Sequence, residues 1–209
     1  MLGLALRQMA ELAELMGEEN DYLARYEAMK ETVNRVAWDG EWYARATMDD
    51  GRFLGVKREP MAKIWLNAQT WAVLSGMAPA QRAHQAMDSV RRYLNTPLGI
   101  KKIDPAMADY PTPEDPLTYY NKGCGENGSV FCHANAWAVI AECLLGRGER
   151  AWEYYSQLLP MNAQAKAGEW RYKAEPYVYS SNIFGPESDK FGLANVSWLT
   201  GTAAWMYVA

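Results

Sequence analysis

The apolar residues at the start of the chain recur with helical spacing. Leu4, Met9, Leu12 and Leu15 fall three to five residues apart, with Met16 beside the last and Arg7, Glu11 and Glu14 between them. Gly17 interrupts the run, and Tyr22, Leu23, Tyr26, Met29 and Val33 then mark a second apolar face. Asn20 or Asp21 is the candidate N-cap. The pattern predicts a helical hairpin over residues 2–36. Asp39-Gly40 and Asp50-Gly51 signal turns around a short strand or extended loop bearing Trp42, Arg45 and Thr47. Helices are predicted at about residues 67–77, 79–94, 133–145 and 149–159, and from Ser197 onward. Two long Pro- and Gly-containing loops separate them, 95–129 and 161–195. Loops of that length inside a compact domain are functional or disordered, and Tyr110, Tyr119 and Tyr120 argue against disorder in the first.

The pattern also repeats. QTWAVL at 69–74 resembles NAWAVI at 135–140, and VSWLTG at 196–201 is a fainter echo. Taking Trp71, Trp137 and Trp198 as equivalent gives spacings of 66 and 61 residues. A helix, a turn, a return helix and a long loop fill such a period. Hairpins that cannot bury their apolar face alone stack side by side, which places the loops at one end of an all-α toroid. The plainer reading is that Trp-Ala-Val is a common helical string.

Composition narrows the chemistry. The 209 residues carry 21 basic and 25 acidic side chains, net charge −4, with no basic block suited to a nucleic acid. No apolar run approaches the ~20 residues that cross a bilayer, and the charged N-terminal helix is not a signal peptide. Cys124, Cys132 and Cys143 cannot all pair internally and read as reduced thiols of a cytoplasmic protein. Their spacing does not suit zinc, and no metal is expected. P-loop and G-x-S-x-G motifs are both absent from the sequence. The aromatic balance is unusual: nine Trp and 13 Tyr beside four Phe. Such flat faces with a polar handle stack on sugars, nucleobases or partner proteins.

Three segments concentrate polar groups. YYNKGCGENGSVFCHAN (119–135) leads through glycines to His133 at a predicted helix start. There, free N–H groups and an imidazole suit an anion. SWLTGTA (197–203) offers hydroxyls and N–H groups in the same way, and AEPYVYSSN (174–182) sets a carboxylate among aromatics. Together they suggest a sugar and a phosphate. Each has a bland alternative: a lone His is often structural, Thr-Gly-Thr often only a cap, and His84 reads as a solvated helix residue.

GENGSVFCHANAWAVIAECLLGRGERAWEYY, EPYVYSSNIFGPE and SWLTGTAAWMYVA, in that order, resemble the glycoside phosphorylases of glycoside hydrolase family 94. AWDGEWYARA and LNAQTWAVLSG extend the similarity across residues 1–209, which reads as a single partial domain. The resemblance implies an (α/α)6 barrel and inverting phosphorolysis of a β-linked, cellobiose-like disaccharide. The products are an α-sugar 1-phosphate and a free sugar. Inorganic phosphate is the co-substrate and no cofactor is implied. It assigns phosphate binding to His133, Thr200 and Gly201, and sugar binding to Glu126 and Tyr120. Departures fall in the sugar region. Gly125 stands where the family often has Lys, and Ser181 where it often has Gln. Lys122 is a candidate for the missing cation, toward an acidic acceptor. The family's general-acid Asp is expected upstream of this chain, which reads as the C-terminal part of the barrel. It is therefore expected to be inactive alone, and to self-associate or pair with the missing part across its open flanks. A toroid hydrolase using water and a non-catalytic sugar-binding remnant remain as alternatives.

Overall fold

In the computed structural model of the chain, residues 1–107 and 121–209 are described. Helices α1 (Leu2–Met16) and α2 (Tyr22–Val36) form the expected hairpin. Gly17 closes α1 at φ 69°, a left-handed conformation that glycine adopts without Cβ strain. Asp21 is the N-cap of α2, and the Asn20 side chain accepts the Tyr22 N–H at 3.1 Å. The Asp50-Gly51 turn joins β1 (Ala46–Thr47) to β2 (Phe53–Leu54), pairing Ala46 with Leu54.

The next helices come in pairs, each first member entered from a short strand. β3 (Ile64–Trp65) runs into α3 (Leu66–Leu74), and α4 (Ala80–Leu94) returns. The strands β4 (Asn95–Thr96), β5 (Gly99–Ile100) and β6 (Ile103–Asp104) follow, with β6 pairing back to β3. β7 (Val130–Phe131) runs into α5 (Cys132–Leu144), and α6 (Gly148–Leu158) returns. α5 packs between α3 and the last helix and is buried nearly all round through Ala134, Ala136, Ala138 and Ala141. α4 and α6 bury only one face, as outer helices do.

The second long loop is not irregular. It holds α7 (Pro160–Ala167), α8 (Glu169–Tyr172) and β8 (Ser180–Ile183), and ends in β9 (Ala194–Ser197). β7, β8 and β9 form one antiparallel sheet. Nine short strands among the described residues thus qualify the all-α expectation. Polar strand residues such as Ser180 and Asn182 hid these elements from hydropathy, because tertiary pairing rather than an apolar alternation holds them. The last helix, α9 (Thr202–Val208), starts five residues later than predicted, since Ser197 ends a strand.

That shift corrects the repeat. Trp198 lies in a turn at φ 70° and is 66% exposed. The third equivalent tryptophan is Trp205, so the spacings are 66 and 68 residues. Asn67, His133 and Gly201 occupy matching helix starts, with Trp71, Trp137 and Trp205 four residues on. The three indoles meet edge to face, with ring centroids 5.2 Å (Trp71–Trp137), 6.0 Å (Trp137–Trp205) and 6.5 Å (Trp71–Trp205) apart.

A second repeated device sits two residues past the first two starts. Gln69 accepts the Tyr43 N–H at 2.8 Å and donates to the Tyr43 and Trp65 carbonyls at 2.9 and 3.0 Å. Asn135 accepts the Ile100 N–H at 2.7 Å and donates to the Ile100 and Phe131 carbonyls at 2.9 Å each. Both amides are fully buried. Each ties a helix to the extended segment of the preceding unit by satisfying backbone groups that have left regular pairing.

Outer helices are tied by charge. Asp88 on α4 binds Arg147 at 2.8 Å and Arg150 at 2.6 Å, and both guanidinium groups lie 3.7 Å from buried Glu142. Burial pushes the Glu142 carboxyl up from its ordinary value. His84 is half-buried on α4 rather than simply solvated, its carbonyl accepting from Arg147. Apolar side chains stay exposed on α1 (Met9, Leu12, Leu15, Met16) and on α9 (Tyr207, Val208). Among the described residues, no helix is long and apolar enough to cross a membrane.

Asn135→Leu strips partners from two buried backbone groups of Ile100 and should cost about 2–4 kcal/mol. Urea denaturation measures this, and a change below about 0.5 kcal/mol would remove the amide from its bracing role.

Candidate functional site

The segment before α5 folds as a tight turn. Gly123 N–H donates to the Asn127 carbonyl at 2.7 Å, and Asn127 N–H to that of Cys124 at 2.9 Å. The Asn127 side chain accepts the Met107 N–H at 2.7 Å, and the Ser129 hydroxyl caps the Gly125 carbonyl at 2.5 Å. Glu126 stands on this turn. Gly185, in the link after β8, lies so close to it that a Cβ there would sit 2.0 Å from the Gly128 carbonyl oxygen. The close approach of two backbones, not a special φ, requires glycine at 185.

Lys102 reaches Glu126. Its backbone lies between two helix-start segments: its N–H donates to the Ser129 carbonyl and its carbonyl accepts the Leu66 N–H, both at 2.9 Å. Its ammonium forms an ion pair with the Glu126 carboxylate and lies 4.3 Å from the Phe131 ring centroid. The adjacent Lys101 turns elsewhere, to Asp104 at 2.5 Å and Glu187 at 2.7 Å. Burial pulls the Lys101 ammonium down, but its two carboxylate partners outweigh this and leave its pKa raised. Glu126 and Lys102 open on a cavity of about 260 Å³ with Arg45, Trp65 and Asn67. A larger apolar crevice of about 580 Å³ between α1, α2 and α3 adjoins it and shares Arg45 and Asn67.

His133 and Gly201 come together across the start of α5 and the start of α9. A Cβ at Gly201 would lie 3.2 Å from the imidazole Cε1, so glycine leaves one ring face close to backbone. The ring centroid lies 4.8 Å from that of Trp137. His133 Nε2 is buried and has no hydrogen-bond partner among the described residues. Burial lowers the His133 pKa, and the charge of Lys102 lowers it further. Thr200 belongs to the same turn: its hydroxyl accepts the Thr202 N–H at 3.2 Å and lies 2.5 Å from the Thr202 hydroxyl.

The other expected residues lie differently. Lys122 is exposed, and the cation beside Glu126 is Lys102. Ser181 lies on β8 with its hydroxyl donating to the Asn195 carbonyl at 2.9 Å. Tyr179 packs against the main core, and burial pushes its hydroxyl up to about 12; Tyr177 is exposed. Glu175 accepts the Trp198 indole N–H at 3.2 Å, and its own backbone N–H, Ser197 and Trp198 hold its carboxyl below the usual range. Tyr120 lies outside the described residues. Sequence reasoning missed Lys102 and Arg45, because a lysine pair between two short strands carries no local signal for which side chain faces the cavity. Among the described residues, no three His, Cys, Asp or Glu side chains gather as a metal site would require.

Paired helices thus bring His133 to Gly201, near a charged cavity lined by Arg45, Lys102 and Glu126. The chain matches the family described as Glycosyl hydrolase 94 superfamily, catalytic domain, over residues 1–209, and it belongs to that family. It is 37% identical to solabiose phosphorylase of Paenibacillus borealis over 209 residues, covering 98% of this chain and 27% of that protein. It is 37% identical to N,N'-diacetylchitobiose phosphorylase of Vibrio proteolyticus over 213 residues (98% and 26%). It is also 34% identical to 3-O-beta-D-glucopyranosyl-beta-D-glucuronide phosphorylase of Paenibacillus borealis over 179 residues (85% and 23%). The chain thus spans about a quarter of the length of these relatives.

Gly185→Ala forces apart the backbones that hold the Glu126 turn. We expect a loss of about 1–3 kcal/mol, read as a lowered thermal midpoint; an unchanged midpoint would show that the two turns are not locked together.

Proposed function

We propose that this chain supplies the phosphate clamp and part of the sugar pocket of an inverting glycoside phosphorylase, as an arc of an (α/α)6 barrel. The observation that carries this reading is the approach of Gly201 to the His133 ring, beside the Lys102–Glu126 cavity. Two segments whose family resemblance assigns them to phosphate are 68 residues apart (133 to 201) yet adjacent in space. The relatives named above are all disaccharide phosphorylases.

In the proposed reaction a phosphate oxygen attacks the anomeric carbon of a β-linked disaccharide. The bond from that carbon to the bridging oxygen breaks on the opposite face, and an acid protonates the departing oxygen. An α-sugar 1-phosphate and a free sugar result, with the configuration inverted. Phosphate is already an anion and needs positioning more than a base. His133 Nε2, with Thr200 and the Gly201 backbone, does that work, and Glu126 takes sugar hydroxyls. The family resemblance assigns the acid to a carboxyl outside these 209 residues, and on that reading the chain alone is expected to turn over no disaccharide. Proton donation by itself contributes roughly 10²–10⁴-fold. The exposed apolar faces of α1 and α9 are those that the rest of a barrel would cover. Three free thiols fit a reducing, cytoplasmic setting. A hydrolase reading would leave the buried, unpartnered His133 nitrogen without a task.

Phosphate binding tests the clamp. Phosphate should raise the thermal midpoint of the chain, and His133→Ala should abolish the rise. An anion beside an imidazole favours its charged form, so phosphate should also raise the His133 pKa, followed by NMR, and leave His84 unmoved. No response at His133 would contradict the clamp. Turnover of any disaccharide by the purified chain would refute the need for an external acid.

A further inference from the structure

We propose that Glu175 is a positioning residue for the phosphate clamp, latching the turn at 198–201 so that Gly201 stays against the His133 ring. The inference rests on the clamp reading above and deepens it by naming what holds one half of the clamp.

Strand β8 is the spine between the two halves. On one side it pairs with β7, Phe131 opposite Asn182, and β7 runs into α5 just before His133. On the other side it pairs with β9, Ser180 opposite Ser197, and β9 leads to Thr200 and Gly201 ahead of α9. Ser197 is the last paired residue, so the clamp turn lies beyond the reach of the ladder. The chain turns there under strain: Val196 lies at φ 51° and Trp198 at φ 70°. Left-handed backbone is unfavourable for residues with a Cβ, most of all for a β-branched valine, and persists only where other contacts enforce it. Packing enforces little, because Trp198 and Leu199 are both exposed. The Thr200 hydroxyl bonds within its own turn, to Thr202, and does not fix that turn against β8.

Glu175 supplies the missing restraint. Its carboxylate accepts the Trp198 indole N–H at 3.2 Å and takes a second hydrogen bond from the Ser197 side chain. It thereby grips the last ladder residue and the strained residue after it. The carboxylate stands on anchored chain. Tyr172, three residues earlier, is buried, and Gln164 on α7 donates to the Ala174 carbonyl at 3.1 Å. Pro176 confines Glu175 to extended backbone. The latch thus ties the turn that carries Thr200 and Gly201 to α7 through four residues of main and side chain. Without it, the strain at Trp198 is free to relax and to carry Gly201 away from the imidazole.

The test is calorimetric titration of the chain with inorganic phosphate, with the thermal midpoint of each variant measured alongside. Glu175→Ala should weaken phosphate binding about three- to tenfold, and Trp198→Phe, which keeps a ring but loses the donor, should do the same. The double variant should stay within about twofold of either single one, because both break one latch. Glu175→Gln keeps an acceptor oxygen and should bind within about twofold of the unaltered chain. The sign separates positioning from charge: a carboxylate near bound phosphate repels it, so a purely electrostatic Glu175 would make the alanine variant bind more tightly. Midpoints without phosphate should fall by less than about 3 °C, since the latch lies at the surface. Unchanged or tighter binding by Glu175→Ala overturns the proposal and leaves the clamp reading standing. So does weakened binding that Glu175→Gln fails to rescue, or that comes with a large fall in midpoint in Trp198→Phe as well. If the unaltered chain binds no phosphate, the clamp reading falls and takes this inference with it.

Discussion

The arrangement depends on backbone groups that leave regular pairing between one helical unit and the next. An extended segment that crosses from unit to unit exposes N–H and C=O groups to a core with no water to satisfy them. Gln69 and Asn135 solve this identically, each bonding both groups of one residue, Tyr43 or Ile100, and a carbonyl four residues back on their own unit. An unpaired group there would cost ~1–3 kcal/mol. The amides therefore fix the height at which each inner helix begins. With the starts fixed, Trp71, Trp137 and Trp205 meet, and Asn67, His133 and Gly201 share one end of the assembly.

The candidate site is placed at that end by the same constraint. The β7–α5 junction presents His133, and the turn before α9 brings Gly201 to its ring. Between the starts of α3 and α5 the chain at Lys102 is held by main-chain bonds on both sides. Its side chain lines the cavity with Glu126, and its charge adds to burial in lowering the His133 pKa. The glycine contact of 185 with 128 closes the turn that carries Glu126 from behind. Rigid main chain thus positions a small number of charged groups, which is how a site gains precision from a helical frame.

Much of this was legible in the pattern of residues. Helical period marked α1 to α6 within a few residues, and the likeness of 69–74 to 135–140 marked the repeat. His133, Thr200 and Gly201 stood out by their place near helix starts, and Glu126 by the family resemblance. The third repeat was misplaced because Trp198 has the more obvious local match, SWLTG, whereas Trp205 matches only in helical position. The sheet of β7, β8 and β9 stayed hidden because β7 pairs with the distant β8, and β8 and β9 are largely polar.

The sequence by itself determined the main helices, the family and the types of residue proposed to meet phosphate and sugar. Those follow from short-range periodicity and from motifs read in order. The tertiary structure alone decided which lysine serves the cavity. In Lys101-Lys102 the two side chains are chemically the same, and they differ only in the partners that the fold sets beside each. One side met Asp104 and Glu187; the other met Glu126. Which partners stand on each side is set by chain segments up to 86 residues away, and no local signal in the sequence carries that information.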